Sequence, residues 1–352
     1  MERRMKIAIV APPYYTIPPK KYGGTERVIH GLIKGLKELD HEPLLLGPGD
    51  SKVDCELIPI VNKALNFPKK DSAAFRKSVS TALKKTGIEL KKIATAVDII
   101  HSHGFDMKSF AKLPNVTTLH GHIGFDDLSY YRQRKTLPFI SISKNQQAAY
   151  PYLNYVGVVY NGLDPSEFPV VTMPRDYLCF IGRFDLDKSP HLAIELALKL
   201  GMKIKLAGKI DLDGASYFKD QIQPFLDHPL VEYLGEIGFA QKIDLIGKAK
   251  CNLHPLLGRR EPFGLTVIEA GYCGTPTMAM NRASMPEIIR DGRTGILVED
   301  FIEGYSQIEA CFKMDRKYIA RRTRRHFNYQ RMAEDYEKAY KKVLGEFGET
   351  SK

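Results

Sequence analysis

Short β-branched runs alternate with amphipathic stretches along nearly the whole chain, and this alternation constrains the fold more than any other feature. The candidate strands are Lys6–Ala11, Val97–His101, Val116–His120, Phe139–Ile142 and Val156–Tyr160. A second series follows at Tyr177–Ile181, Lys203–Ala207, Cys251–Leu253, Thr275–Ala279 and Gly295–Val298. Helical patterns lie between them at Glu26–Leu39, Ser72–Ala94, His191–Leu200 and Leu265–Cys273. Strands joined by helix-length segments form parallel sheets with crossovers. The pattern runs twice, and prolines 165, 169 and 174 mark an irregular stretch at 162–176 as the linker. A length of 352 residues suits about two domains. The expectation is an α/β protein with two Rossmann-like domains, 1–165 and 175–327, whose parallel sheets face each other across a cleft. A ligand would bind there, at the carboxyl ends of the strands. The tail from Tyr318 to Phe347 reads as helix only.

Composition narrows the class. Hydrophobic residues are 43% and charged residues 26%, which fits a globular chain, and no run approaches the ~18 apolar residues of a spanning helix. The opening MERRMKIAIVAPP has a short apolar run, Ile7 to Ala11, that Pro12-Pro13 ends, so it reads as a first strand and not as a signal-peptide core. Cysteines 55, 179, 251, 273 and 311 are scattered without CxxC spacing, the pattern of reduced thiols in a cytoplasmic protein. The net charge is +11 and uneven. The first 160 residues hold 24 cationic against 14 anionic side chains, the remainder 28 against 27. A basic half points to an anionic partner such as a lipid head group, a polyanion or a phosphorylated acceptor, with a plain solubility surface as the equal alternative. The stretch Ser72–Ala94, with Arg76, Lys77, Lys84, Lys85, Lys91 and Lys92, reads either as a contact with the inner face of a membrane or as a solvated helix face.

Four segments could carry chemistry. In RREPFGLTVIEAGYCGTP (259–276) a helix begins near Gly264, leaving the backbone N–H groups of Gly264, Leu265 and Thr266 for a phosphate. Glu269, one turn in, could accept from vicinal hydroxyls, and Glu261 could reach another part of the same ligand; a capping Glu261 and a buried structural Glu269 are the bland readings. In FIGRFDLDKSP (180–190), Gly182 permits a tight turn, and Arg183 and Lys188 flank a loop into a helix capped near Ser189 and Pro190. Two cations there could clamp a diphosphate. Asp185 and Asp187 share the loop with those cations and have no third ligand nearby, so a metal reading is disfavoured. The segment AIVAPPYYTIPPKKYGGTERVIHGL (8–32) is a strand, a proline-rich loop, Gly23-Gly24 and a helix with Thr25 as its N-cap. It is not a dinucleotide fingerprint. In VTTLHGHIG (116–124) a strand ends at His120; His120 suits hydrogen bonds to ligand hydroxyls, whereas His101, His103 and His122 suit structural or rim roles more than zinc.

Taken together, YGGTERV, TLHG, SISKNQ, VYNGLD, GRFDLDKSPHLAIELA, YLGEI, EPFGLTVIEAGYCGTP and MPEIIRDGRTGILV resemble the retaining glycosyltransferases of family 4, with the two-domain GT-B architecture. The match runs over nearly the whole chain. The resemblance implies that Arg183 and Lys188 bind the donor diphosphate, Glu261 the donor sugar's hydroxyls and Glu269 the nucleotide ribose. It implies that Phe263, Gly264, Leu265 and Thr266 meet sugar and phosphate through their backbone. His120 would lie near the sugar's primary hydroxyl and reacting centre, and Gly23 and Gly24 would form the loop under sugar and diphosphate. A last helix near 328–345 would cross back to the N-terminal domain. No cofactor and no divalent metal are expected, and the nucleotide-diphosphate sugar is a co-substrate. UDP-glucose is the first donor expected, on frequency alone, then GDP-mannose. Two departures stand out: Thr277-Met278-Ala279-Met280 replaces a more usual Val-Ile-Ala run, and Gly258-Arg259-Arg260 stands where a Trp is usual, adding charge at the sugar pocket's rim. The rival readings are a phosphorylase or epimerase on the same fold, or a non-catalytic sugar or polyanion binder. A nucleic-acid protein lacks a reader motif, and a nicotinamide dehydrogenase lacks its fingerprint.

Overall fold

The structure, a computed structural model, describes residues 3–68, 72–124, 127–211, 214–258 and 261–350. Arg259 and Arg260, read from sequence as rim charges, lie outside the described residues. The chain divides into two compact units, one running to Leu163 and resuming at Asn328, the other spanning Asp164–Phe327.

The first unit is built on a seven-stranded parallel sheet in the order β3-β2-β1-β4-β5-β6-β7. Its strands are β1 (Lys6–Val10), β2 (Glu42–Pro48), β3 (Glu56–Val61), β4 (Ile99–Ser102), β5 (Asn115–Leu119), β6 (Phe139–Ser141) and β7 (Tyr155–Val158). The central strands are nearly continuous apolar runs because helices cover a parallel sheet on both faces; Ala8, Val10, Leu46, Ile100, Leu119 and Phe139 meet in one core. The order reverses between β1 and β4. That switch point opens a crevice at the carboxyl ends of the two strands, the place where open α/β sheets bind ligands.

The second unit repeats the plan with six parallel strands ordered β10-β9-β8-β11-β12-β13. They are β8 (Leu178–Ile181), β9 (Ile204–Ala207), β10 (Val231–Tyr233), β11 (Cys251–His254), β12 (Thr277–Met280) and β13 (Gly295–Val298). Leu178, Phe180, Ile194, Leu206, Leu253 and Met278 fill its core, and its switch point falls between β8 and β11. The Met278 and Met280 of the unusual TMAM run are buried.

The tail is not one helix. A helix at Arg316–His326 ends, and a second runs from Tyr329 to Thr350. The side chain of Asn328 accepts the backbone N–H of Arg331 at 2.7 Å, an N-cap contact that starts the new helix. This second helix packs on the helix Gly24–Glu38 of the first unit. The approach is so close that a Cβ on Gly35 would stand 2.6 Å from the Cβ of Ala333. Among the described residues no helix is long and apolar enough to cross a membrane.

Candidate active site

In the second unit, the two loops at the switch point hold each other. After β8 the chain runs through Gly182 and Arg183 to Lys188, then into the helix Pro190–Lys199. After β11 it runs through Gly258 to Glu261, then into the helix Leu265–Tyr272. The Gly258 N–H donates to the Asp187 carbonyl at 3.2 Å and the Leu257 N–H to the Ser189 hydroxyl at 3.2 Å. A Cβ on Gly258 would fall 2.1 Å from the Asp187 carboxylate, so a larger residue there would have to displace that side chain. Asp187 is thus a packing partner of the neighbouring loop. Asp185 accepts the Lys188 backbone N–H at 2.8 Å and faces the Arg183 guanidinium at 3.2 Å. Ser189 precedes the helix in a left-handed conformation and makes no side-chain cap; its hydroxyl donates to the Leu186 carbonyl instead.

The charges converge. The Lys188 ammonium contacts the Glu261 carboxylate, and Nε2 of His254, at the end of β11, lies 3.5 Å from the same carboxylate oxygen. Burial, reinforced by the Arg183 guanidinium, pulls the Lys188 ammonium down to about 8 against the pull of Asp185 and Asp187. Burial and the Lys188 charge lower His254 to about 3, so its imidazole is neutral. Beside them Gly264 takes φ 93° to start the helix, a left-handed turn that suits a residue without a side chain. Ser284 fixes this turn by donating to the carbonyls of Glu261 (3.0 Å) and Phe263 (2.7 Å). The Phe263 ring is buried, so that residue offers a ligand its backbone; Leu265 and Thr266, in the first turn, are half-buried. One turn further in, Glu269 is 2% exposed. Its Oε1 accepts from the Lys242 ammonium at 2.5 Å, while its Oε2 is buried with no hydrogen-bond partner among the described residues. A buried carboxylate oxygen without a partner is costly and suits an incoming hydroxyl donor.

The first unit holds the remaining residues proposed from sequence. Gly23, not Thr25, stands at the N-cap of the helix Gly24–Glu38; it has φ 143°, and a Cβ there would be 2.6 Å from the Pro19 Cβ. No side-chain cap is made, so Thr25 falls inside the first turn. Behind the turn the Glu26 carboxyl is buried and desolvation raises it to about 7. His120 follows β5, and its Nε2 lies 2.7 Å from Nδ1 of His103, which follows β4. Burial lowers His120 to about 4 and holds His101 and His103 well below the ordinary histidine range. His101 is held by the Tyr340 hydroxyl (2.8 Å) and the Thr118 hydroxyl (2.7 Å). His122 is exposed, with the Tyr150 hydroxyl 3.1 Å from its Nε2. The four histidines are therefore engaged in three separate ways, and among the described residues no group of three or more His, Cys, Asp or Glu side chains could hold a metal ion.

Lys188 and Glu261 thus meet at the switch point of the second unit with Arg183 and Gly264 beside them, and Glu269 lies one turn along the helix, paired with Lys242; Gly23, Gly24 and His120 stand at the switch point of the first. Comparison with known proteins shows the family to which the chain belongs. Residues 22–167 match the description "Glycosyltransferase Family 4", and residues 168–314 match "Glycosyl transferases group 1". The chain is a family 4 glycosyltransferase. This family 4 chain is 24% identical over 346 residues to a glycogen synthase of Mycobacterium tuberculosis, covering 83% of this chain and 82% of the relative. Its fold is of the GT-B type. It is similar to sucrose-phosphate synthase from Thermosynechococcus elongatus, with a TM-score of 0.75 at 17% identity over 97% of this chain and all of the other. It is also similar to the HepE protein of Anabaena in complex with UDP-glucose, with a TM-score of 0.70 at 18% identity over 97% and 100%.

Sequence reasoning missed His254, Lys242 and Ser284 as parts of these sites, and gave His103 a structural or rim role. Lys242 lies on an amphipathic helix, Phe239–Lys248, with nothing in its spacing to tie it to Glu269. Only His254 gave a signal, as a histidine closing a short apolar strand directly before the loop of Glu261.

Proposed function

We propose that this glycosyltransferase is a retaining, metal-independent hexosyltransferase that takes its sugar from a nucleoside diphosphate donor, UDP-glucose first and GDP-mannose second. The observation that carries the proposal is the Oε2 of Glu269, buried and without a hydrogen-bond partner among the described residues, one turn into the helix that starts after Gly264. A ribose diol satisfies that carboxylate, the helix amides and the Arg183 and Lys188 cations take the diphosphate, and Glu261 exchanges Lys188 for sugar hydroxyls. Gly182 keeps the strand end open to the phosphates. In the first unit, the family resemblance gives Gly23, Gly24 and His120 their roles toward the sugar.

In the transfer, the acceptor oxygen bonds to the anomeric carbon as the carbon–phosphate oxygen bond breaks. The departing phosphate takes the acceptor's proton, and attack on the face it leaves retains the anomeric configuration. Charge growing on the diphosphate is stabilised by Arg183, Lys188 and the amides after Gly264, which fill the part a divalent cation plays elsewhere. The test is nucleotide release from a panel of UDP-, GDP- and ADP-sugars with EDTA present. Release from one donor, with an α-linked product from an α-linked donor, is the expected result. Release only after a divalent cation is restored refutes metal independence, and an inverted product refutes retention. Silence with no thermal shift from any nucleotide favours a non-catalytic binder.

The acceptor carries a hydroxyl and is anionic or lipid-linked. The helix Ala73–Ile93 supports this, because its cations Arg76, Lys77, Lys84, Lys91 and Lys92 are exposed together with Leu83 and Ile88. Flotation with anionic but not neutral vesicles, abolished by high salt, is the expected outcome.

A further inference from the structure

His120 is not an isolated imidazole. Its Nε2 lies 2.7 Å from Nδ1 of His103, with the rings 5.0 Å apart and 26° from parallel. One proton sits between the two nitrogens, and the surroundings of the two rings decide which of them supplies it. His103 is 3% exposed, and its other nitrogen, Nε2, is buried without a hydrogen-bond partner among the described residues. A buried N–H with no acceptor is costlier and rarer than a buried lone pair with no donor. His103 therefore carries its proton on Nδ1 and donates it to His120. A neutral His120 that accepts at Nε2 must carry its own proton on Nδ1.

We infer that His103 is a positioning residue that fixes the tautomer of His120, so that His120 presents an Nδ1–H donor to an oxygen of the substrate. The inference rests on His120 touching substrate, as proposed above. His103 is itself walled in. Its ring lies 4.1 Å from that of His101, which is held between Tyr340 and Thr118, and the Thr118 hydroxyl donates to the Tyr336 hydroxyl at 3.1 Å. The helix Tyr329–Thr350 thereby backs the histidine pair. A ring packed this tightly keeps its orientation, and the tautomer of its neighbour follows from that orientation.

The test is 15N-histidine NMR of the full chain, with the His120 signals assigned from the His120→Gln spectrum. The wild-type protein is expected to show His120 with its proton on Nδ1. A proton on Nε2 overturns the inference, and this reading does not depend on activity. His103→Phe is expected to move His120 toward the Nε2–H form and to lower kcat on the order of ten-fold, with the donor KM little changed. His103→Asn, whose amide N–H replaces the lost donor, is expected to restore the Nδ1–H form and most of the rate. His103→Phe with an unchanged tautomer and wild-type kcat overturns the inference. If that variant does not fold, the wild-type spectrum decides alone. A wild-type protein with no donor-dependent turnover refutes the proposed function and leaves the tautomer result standing.

Discussion

The two switch points use opposite electrostatics. In the second unit the crevice is lined by full charges that neutralise each other: Lys188 with Glu261, and Lys242 with Glu269. In the first unit the corresponding residues are three histidines that burial keeps neutral. A site of paired charges is poised to exchange partners with a charged ligand, because each half keeps a counterion before and after binding. A neutral histidine network can only direct a hydrogen bond, and it does so without an added charge that would attract the wrong end of a nucleotide.

This contrast can be broken most severely at Lys188. Lys188→Ala should lower kcat/KM by about 10²–10³ by removing charge stabilisation at the leaving group. It also strands a buried Glu261, so stability should fall as well. The double variant Lys188→Ala/Glu261→Gln is expected to regain the stability but not the turnover, which thermal unfolding and nucleotide release read separately. Wild-type-like turnover in Lys188→Ala defeats the role. Glu269→Gln should act more gently, raising the donor KM on the order of ten-fold, because a ribose contact serves substrate and transition state alike.

The pH dependence separates the two regions directly. Lys188 must be charged to hold a phosphate, so kcat/KM should decline as pH rises through about 8. Lys188→Arg, slower overall, should lose that limb because a guanidinium stays protonated. His120, at about 4, should contribute no limb between pH 5 and 7.5; a limb near 6.5 that vanishes in His120→Gln contradicts the neutral network. The smallest effect is on stability at Glu26. Its carboxyl is raised to about 7 in the folded chain, so both states are neutral at low pH and ionisation then disfavours the fold. The Glu26 contribution to stability should be greatest below about 4.5 and fall as pH rises toward 7, by a few degrees of Tm relative to Glu26→Gln. Glu26→Gln should lack that decline.

All ten strands expected from sequence reading are present, and each differs from its expected span by two residues or fewer at each end, because their β-branched and apolar runs are short and continuous. The strands it missed have specific reasons. Strand β3 carries Pro59, which a sheet edge tolerates and which erases the strand signal. In β2, Pro43 precedes the pairing with β3, and Gly47 and Pro48 lie where the register shifts. Strand β10 is three residues at the far edge. At the site, Gly264 and the two glutamates were legible because one contiguous string carries them. Lys242 and Ser284 were not, since each reaches its partner through tertiary packing, as the Lys242–Glu269 pair across 27 positions shows.

The helix Tyr329–Thr350 supplies Tyr336 and Tyr340 to the histidine network, yet 164 residues of the second unit separate it from Leu163. At the usual pace of translation those residues take roughly ten to thirty seconds to synthesise. For that interval the nascent first sheet has β4 and β5 in place but no Tyr340 for His101 and no wall behind His103. The second unit is complete before the first. The chain's order of synthesis therefore delivers the charged crevice of the second unit early and leaves the histidine network of the first incomplete until the final helix emerges.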